Sequence, residues 1–329
     1  MIAYILKSVA QAVMVLLVVA ALAFSMFRFI GDPVANLVGQ EATQADRREL
    51  AERLGLNDPI PLQFGRFVAD VATGELGMSY RHGRKVSTLI AEKLPATVEL
   101  AVLSALFATS FGTLFGVYTA IRRNSWSAHI IMTISLIGVS LPTFLIGIGL
   151  IYLFAVELRW LPSFGRGETV KLGWWSTGLL TSSGRQSLIM PVLTLGFFQL
   201  TLIMRLVRAQ MLETLRTDYV KFARARGLSE NRVNFRHALR NTLIPVVTIA
   251  GLQLGAVIAF AIITESVFQW PGLGALFVQA VQFVDIPVMA AYLLFVAVVF
   301  VVVNLLVDLT YVALDPRLKS SAPVTVTGK

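Results

Sequence analysis

Six stretches of this chain, at 8–30, 98–121, 129–156, 188–207, 243–264 and 288–314, are apolar over about the 20 residues that a helix needs to cross a hydrocarbon core. In lipid every backbone N–H and C=O has to be satisfied within the segment, so stretches of this length and composition are expected to be helices. The chain therefore reads as an all-α membrane protein with six transmembrane helices. Composition agrees, with 56% hydrophobic and 14% charged residues and a mean hydropathy of +0.73, far from a soluble domain. Lys7 and Ala21-Leu22-Ala23 give the first stretch some likeness to a signal peptide. Its apolar run continues to Ile30, however, which is long for a signal-peptide core, and a retained helix is expected.

Orientation follows from the short loops, because Lys and Arg accumulate on the cytoplasmic side. The loop after the second span carries Arg122, Arg123 and His129. The region after the fourth carries Arg205, Arg208, Arg216, Lys221, Arg224, Arg226, Arg232, Arg236 and Arg240 against Glu213, Asp218 and Glu230. Between spans five and six stand Glu265 and Asp285 with neither Lys nor Arg. Both basic regions are thus expected inside, the acidic loop outside, and both termini in the cytoplasm.

The expected organisation is an N-terminal transmembrane helix (1–30), an external helical insert (31–97), a five-helix core (98–314) with a cytoplasmic loop at 208–242, and a cytoplasmic tail (315–329). In the insert, Thr43 suits the start of a helix running to Leu54. Phe64, Phe67, Val68 and Val71 form a second amphipathic stripe ending at Gly74. Val86, Leu89, Ile90 and Leu94 form a third, ending at Pro95.

Several chemistries are excluded by missing residues. The chain has no cysteine, hence no disulfide framework and no thiolate site. It has no G-x-x-x-x-G-K-S/T phosphate loop and no H-E-x-x-H zinc helix, and His82, His129 and His237 are scattered. No catalytic or metal-ligating residues are assigned. The net charge of +9 is concentrated beside apolar spans, where cytoplasmic retention explains it without nucleic acid. Glu99 and Asp308 lie near span ends, where a carboxylate reaches interfacial water. Gly112 with Gly116, and Gly251 with Gly255, have the spacing for close helix approach, within the chain or to a second subunit. Pro142, inside span three, is expected to kink it and line a cavity. Trp270, Pro271 and Gly272, before span six, are read as a cap at the external mouth of a path, with an interfacial anchor as the alternative for Trp270.

The basic stretch YVKFARARGLSENRVNFRHALRNTLIP, Tyr219 to Pro245, has a finer pattern. Tyr219, Phe222 and Ala223 fall at i, i+3 and i+4, an apolar stripe on a short helix, with Lys221 and Arg224 directed elsewhere. Gly227 suits a left-handed cap, and Ser229-Glu230 begins a second helix. Such a helix fits a groove in another protein and equally a surface of anionic membrane lipids.

This stretch resembles the cytoplasmic EAA loop of ABC-importer permeases, in the positions of Ala223, Gly227, Leu228 and Pro245, although Lys221 and Phe222 replace that family's Glu and first Ala. The departure is similar to the dipeptide and oligopeptide branch, as are Gly31-Asp32-Pro33, LGLNDPIP at 54–61, GELGMS at 74–79, LPATVELA at 94–101 and VFQWPGLGAL at 267–276. The resemblance implies a type I ABC importer permease fold in the bacterial inner membrane. It implies as partners a second homologous permease, two ABC ATPase domains that bind the ATP and Mg, and an external solute-binding protein, with no cofactor in this chain. Tyr219, Phe222, Ala223, Arg224, Gly227 and Leu228 would then form the ATPase-coupling helix. Peptide is the expected substrate, with glutathione or nickel chelates as alternatives. An ion-coupled carrier or a membrane scaffold are the competing readings from other classes.

Overall fold

Each apolar stretch is helical, but not every one is a single straight rod. A computed structural model describes residues 2–29, 43–45, 52 and 57–314. Helix α1 (Ile2–Phe29) is followed by α2 (Ile60–Thr73), α3 (Val86–Ile121), α4 (Trp126–Ser140) and α5 (Thr143–Leu150), which continues as a π-helical turn to Glu157. A hairpin of β1 (Val170–Leu172) and β2 (Trp175–Thr177) precedes α6 (Ser182–Thr214) and α7 (Asp218–Ala225). A π-helical stretch, Arg232–Ala238, leads into α8 (Leu239–Val267), then α9 (Leu273–Gln282) and α10 (Ile286–Leu314). Among the described residues four helices are long and apolar enough to cross a membrane, and six spans result if each of two bent pairs counts as one. The bent pairs are Trp126–Ser140 with Thr143–Glu157, at 111°, and the two parts of α8, at 44°.

The 111° break is sharper than the kink expected of Pro142. Proline restricts the residue before it to extended backbone, and Leu141 is extended while Pro142 caps the next helix from outside. The chain thus stops one helix and starts another.

Helix α3 differs from expectation in the opposite sense. The stripe at Val86–Leu94 does not end at Pro95 but runs on to Ile121 as one helix with Pro95 buried inside it. An interior proline costs about 3 kcal/mol in an isolated helix, and here the burial of Pro95 itself and of Ala96, Thr97, Glu99 and Leu100 after it offsets that cost. Most of the expected helix from Thr43 to Leu54, Gly31-Asp32-Pro33, the first residues of LGLNDPIP and the tail 315–329 lie outside the described residues.

Helices α3 and α6 lie side by side. At Gly116 an added Cβ would sit 2.6 Å from Val207 Cβ and 2.7 Å from the Met204 carbonyl, so only glycine permits this approach. The small-residue spacing therefore serves packing within the chain. Around this pair are three apolar clusters: Ala108, Ile203, Val207 and Val246 at one level, Leu100, Leu195, Ile258 and Trp270 at another, and Val86, Leu89, Leu276 and Ala291 beyond. The stripe on α2 packs as its spacing requires. Phe64 and Phe67 lie on α1 beside Phe24 and Phe27, with ring centroids 5.6–5.8 Å apart, and Gly74 ends the helix at φ +82°.

Candidate functional site

At the end of the bundle where α3 and α6 stop and α8 starts, α7 lies as a short crosspiece. Its inward face is Val220 and Ala223, packed with Val233 and flanked by Leu215 and Leu228. Its outward face carries Tyr219 and Phe222, 42% and 64% exposed. The stripe read from spacing is thus divided. Ala223 holds the helix to its own chain, while the two aromatic residues face away from it, because the helix is anchored along i and i+3 from Val220. Lys221 pairs with Asp218 at 2.9 Å, Arg224 with Glu230 at 3.0 Å, and the Arg226 guanidinium lies 5.8 Å from the Phe222 ring centre.

The turn after α7 depends on Gly227. Its φ of +76° lies in the left-handed region, and its N–H donates to the Arg224 carbonyl at 2.9 Å. Leu228 N–H reaches the Ala223 carbonyl at 3.4 Å, and the next helix begins at Glu230, with the Ser229 carbonyl accepting from Val233 N–H at 3.0 Å. Asn241 Nδ2 donates to the Tyr219 hydroxyl at 2.8 Å. This bond and the Val220–Ala223–Val233 packing couple α7 to the start of α8.

The opposite end holds a buried polar cluster. Glu265, expected in an external loop, lies inside α8 and is fully buried. Its Oε1 accepts from Thr97 Oγ1 at 2.6 Å and its Oε2 from Ala275 N–H at 2.9 Å, while Thr97 Oγ1 accepts from Leu273 N–H at 2.7 Å. The segment Trp270-Pro271-Gly272-Leu273-Gly274 wraps this carboxylate so closely that a Cβ on Gly272 would collide with it. Trp270 does not stand at the surface as an interfacial anchor would. It is fully buried, and its Nε1 donates to the Ala96 carbonyl at 3.0 Å. Pro271 is exposed, and Trp270, Pro271 and Gly272 line one side of an open cleft of about 830 Å³ with His82, Glu92 and Lys93.

Glu99 also departs from its expected contact with interfacial water. It is buried and ion-paired with Arg166 at 2.5 Å, and it accepts from Thr177 Oγ1 at 2.7 Å and Gly178 N–H at 3.2 Å. Arg166 further donates to the Ser176 carbonyl at 2.7 Å, and its guanidinium lies 5.9 Å from the Trp270 ring centre. The β-hairpin is thereby tied to α3 and to the end of α8. Sequence reasoning passed over Arg166 and the hairpin. The available signal was a carboxylate at the edge of an apolar span, which needs either interfacial water or a buried partner. Among the described residues no His, Asp and Glu group is arranged to hold a metal.

Between these two ends Pro142 lines a cavity of about 550 Å³ with residues of α6 and α8. The predicted residues therefore occupy three separate levels: α7 with its turn, the midpoint of the bundle, and the Trp270 segment.

Residues 112–320 match the family described as binding-protein-dependent transport system inner membrane component, and residues 1–101 match its N-terminal region. The chain belongs to this family. A dipeptide transport system permease protein of Alkalihalophilus pseudofirmus is 38% identical to this inner membrane component over 97% of this chain and 100% of the relative. A di/tripeptide transport system permease protein of Pseudomonas aeruginosa is 41% identical over 92% and 94%. A glutathione transport system permease protein of Salmonella paratyphi A is 36% identical over 97% and 99%. In fold, the inner membrane component is similar to a chain of the MetNI methionine ABC transporter in an inward-facing conformation. That match has a TM-score of 0.55 at 18% identity, over 69% of this chain and 96% of the other. The fold is that of a type I ABC importer permease.

Proposed function

We propose that the chain is a permease subunit of an ABC importer that takes up di- and oligopeptides across the bacterial inner membrane. The observation that carries this reading is near-full-length similarity to permeases named for dipeptide and di/tripeptide transport. Similarity to a glutathione permease fits the same reading, since glutathione is itself a small peptide. The ion-coupled carrier and scaffold alternatives draw no support from these relatives.

In this reading a second, homologous permease completes the path, two ATPase domains beneath hydrolyse ATP, and a solute-binding protein delivers peptide from outside. Residues 31–97 form an external insert, while 208–242 and 315–329 are cytoplasmic. The Arg and Lys content of this end of the bundle supports a cytoplasmic position, and in this reading the outward face of α7 meets the ATPases. Phe222, Tyr219 and Arg224 make the contact, Ala223 seats the helix from behind, and Gly227 with Leu228 forms a rigid exit. Movement of the ATPases on nucleotide binding is passed through α7 to α6 and α8 as a rigid-body shift.

The deciding experiment is ATP hydrolysis by the co-expressed, affinity-purified complex in lipid nanodiscs, for wild type, Gly227→Pro and Phe222→Asp. An ATPase that co-purifies with wild type, together with loss of assembly or of stimulated hydrolysis in the variants, supports the reading. If no ATPase associates and all three proteins behave alike, the reading is wrong and α7 is a lipid-facing helix.

A further inference from the structure

Three elements meet near the middle of the bundle: the break between α4 and α5, the centre of α6 and the centre of α8. They enclose the cavity of about 550 Å³, within the range of about 300–1,000 Å³ typical of small-molecule sites. Its polar lining is Ser140, Thr143, Gln199 and Gln253, and no described lining residue is charged. Gln199 is 6% exposed, and its Nε2 donates to the Gln253 main-chain oxygen at 3.3 Å, which fixes that side chain at the cavity wall. The remaining lining is apolar, and Leu141, Phe144, Phe260 and Ile263, at 41–65% exposure, flank its open side.

We infer that Gln199 and Gln253 form a substrate-contacting station that binds the main chain of a passing peptide and is blind to side-chain charge. The inference rests on the importer reading and specifies its substrate contact. A carboxamide offers both donors and an acceptor without net charge, the same groups that a peptide main chain presents. Covering a polar group with an apolar occupant is costly unless that group stays paired, so the two carboxamides favour an amide-bearing occupant over a purely apolar one. A lysine or glutamate in this wall would reject like-charged peptides, whereas neutral amides admit all. The break at Leu141-Pro142 keeps α4 and α5 from closing over the space, and in the importer reading the exposed apolar rim is left for the second permease to cover.

The test uses the complete importer in proteoliposomes, with binding protein outside and ATP inside. Uptake of trilysine and triglutamate is measured relative to trialanine for wild type, Gln253→Lys and Gln253→Glu. The lysine variant is expected to lower the trilysine ratio, and the glutamate variant the triglutamate ratio, by about tenfold or more, as close like charges do elsewhere. Unchanged ratios in both variants overturn the inference while leaving the importer reading intact. Absence of ATP-dependent uptake by wild type overturns both. Because this chain has no cysteine, Gln199→Cys is its single thiol and gives a second readout should the charged variants not assemble. Its labelling by a cationic methanethiosulfonate is expected to slow during trialanine transport, while that of Ala72→Cys, exposed on α2 outside the apolar spans, is unaffected. Equal labelling of Gln199→Cys with and without peptide counts against the station.

Discussion

The Glu99 carboxylate and the Arg166 guanidinium meet at 2.5 Å with side chains only 3% and 7% exposed, although 67 residues separate them. A buried pair of this kind is costly to break, since either partner alone leaves an uncompensated charge. Glu99→Ala and Arg166→Ala are each expected to lose about 3–5 kcal/mol, and Glu99→Leu with Arg166→Met much less. Unfolding midpoints of the purified wild type and these three variants check the expectation, and equal losses for the double and single variants would contradict it.

The approach of α3 to α6 predicts opposite outcomes at two helical glycines. A methyl at Gly116 must displace Val207 and the Met204 carbonyl, whereas one at Gly149 meets nothing within 4 Å. Gly116→Ala is expected to destabilise by about 1–3 kcal/mol. Gly149→Ala is expected to be neutral or to stabilise by up to about 1 kcal/mol through helix propensity. Thermal unfolding of both variants in one detergent makes the comparison.

These cases mark how far the residues alone lead. Apolar length revealed the helices, and periodicity revealed the stripe of Phe64 and Phe67, which the fold lays on α1. Gly227 announced its turn because few other residues adopt its φ. What stayed hidden depends on long-range geometry. Pro95 looked like a helix stop because propensity is local, while the packing that overrides it comes from elsewhere in the chain. Glu265 looked like a loop acid because its partners, Thr97 and the N–H groups of the Trp270 segment, are assembled only in the fold. On α7 the stripe of Tyr219, Phe222 and Ala223 divides in the fold, since Val220 and Ala223 turn inward while the two aromatic residues stay exposed.

Asp285, 1% exposed, receives Ser79 Oγ, Tyr80 N–H at 3.1 Å and Arg81 N–H at 3.3 Å, and Ser79 Oγ in turn accepts from His82 N–H at 2.9 Å. The carboxylate thus organises the turn joining the α2 region to α3. Asp285→Ala leaves these donors without their acceptor at a cost of about 1–3 kcal/mol. Because Arg81, Arg84 and Lys85 are in or beside this turn, the variant is expected to be cut there by trypsin faster than wild type. Unchanged cleavage kinetics would show that the turn holds without Asp285.

Val220 and Phe222 stand two residues apart on α7, and the first is fully buried while the second is 64% exposed. Stability and coupling should therefore separate at these positions. Val220→Asp places a charge in the small cluster with Ala223 and Val233, and it is expected to loosen the turn by several kcal/mol. Hydrogen exchange at 218–233 would rise even in the isolated chain. Phe222→Ala removes no internal packing of comparable depth, so the isolated chain is expected to stay within about 0.5 kcal/mol of wild type. The loss in Phe222→Ala should surface only in the complex, as weaker retention of the ATPases or slower peptide-stimulated hydrolysis. If Phe222→Ala assembles and hydrolyses as wild type does, the outward face of α7 is not the coupling surface, whatever Val220 does.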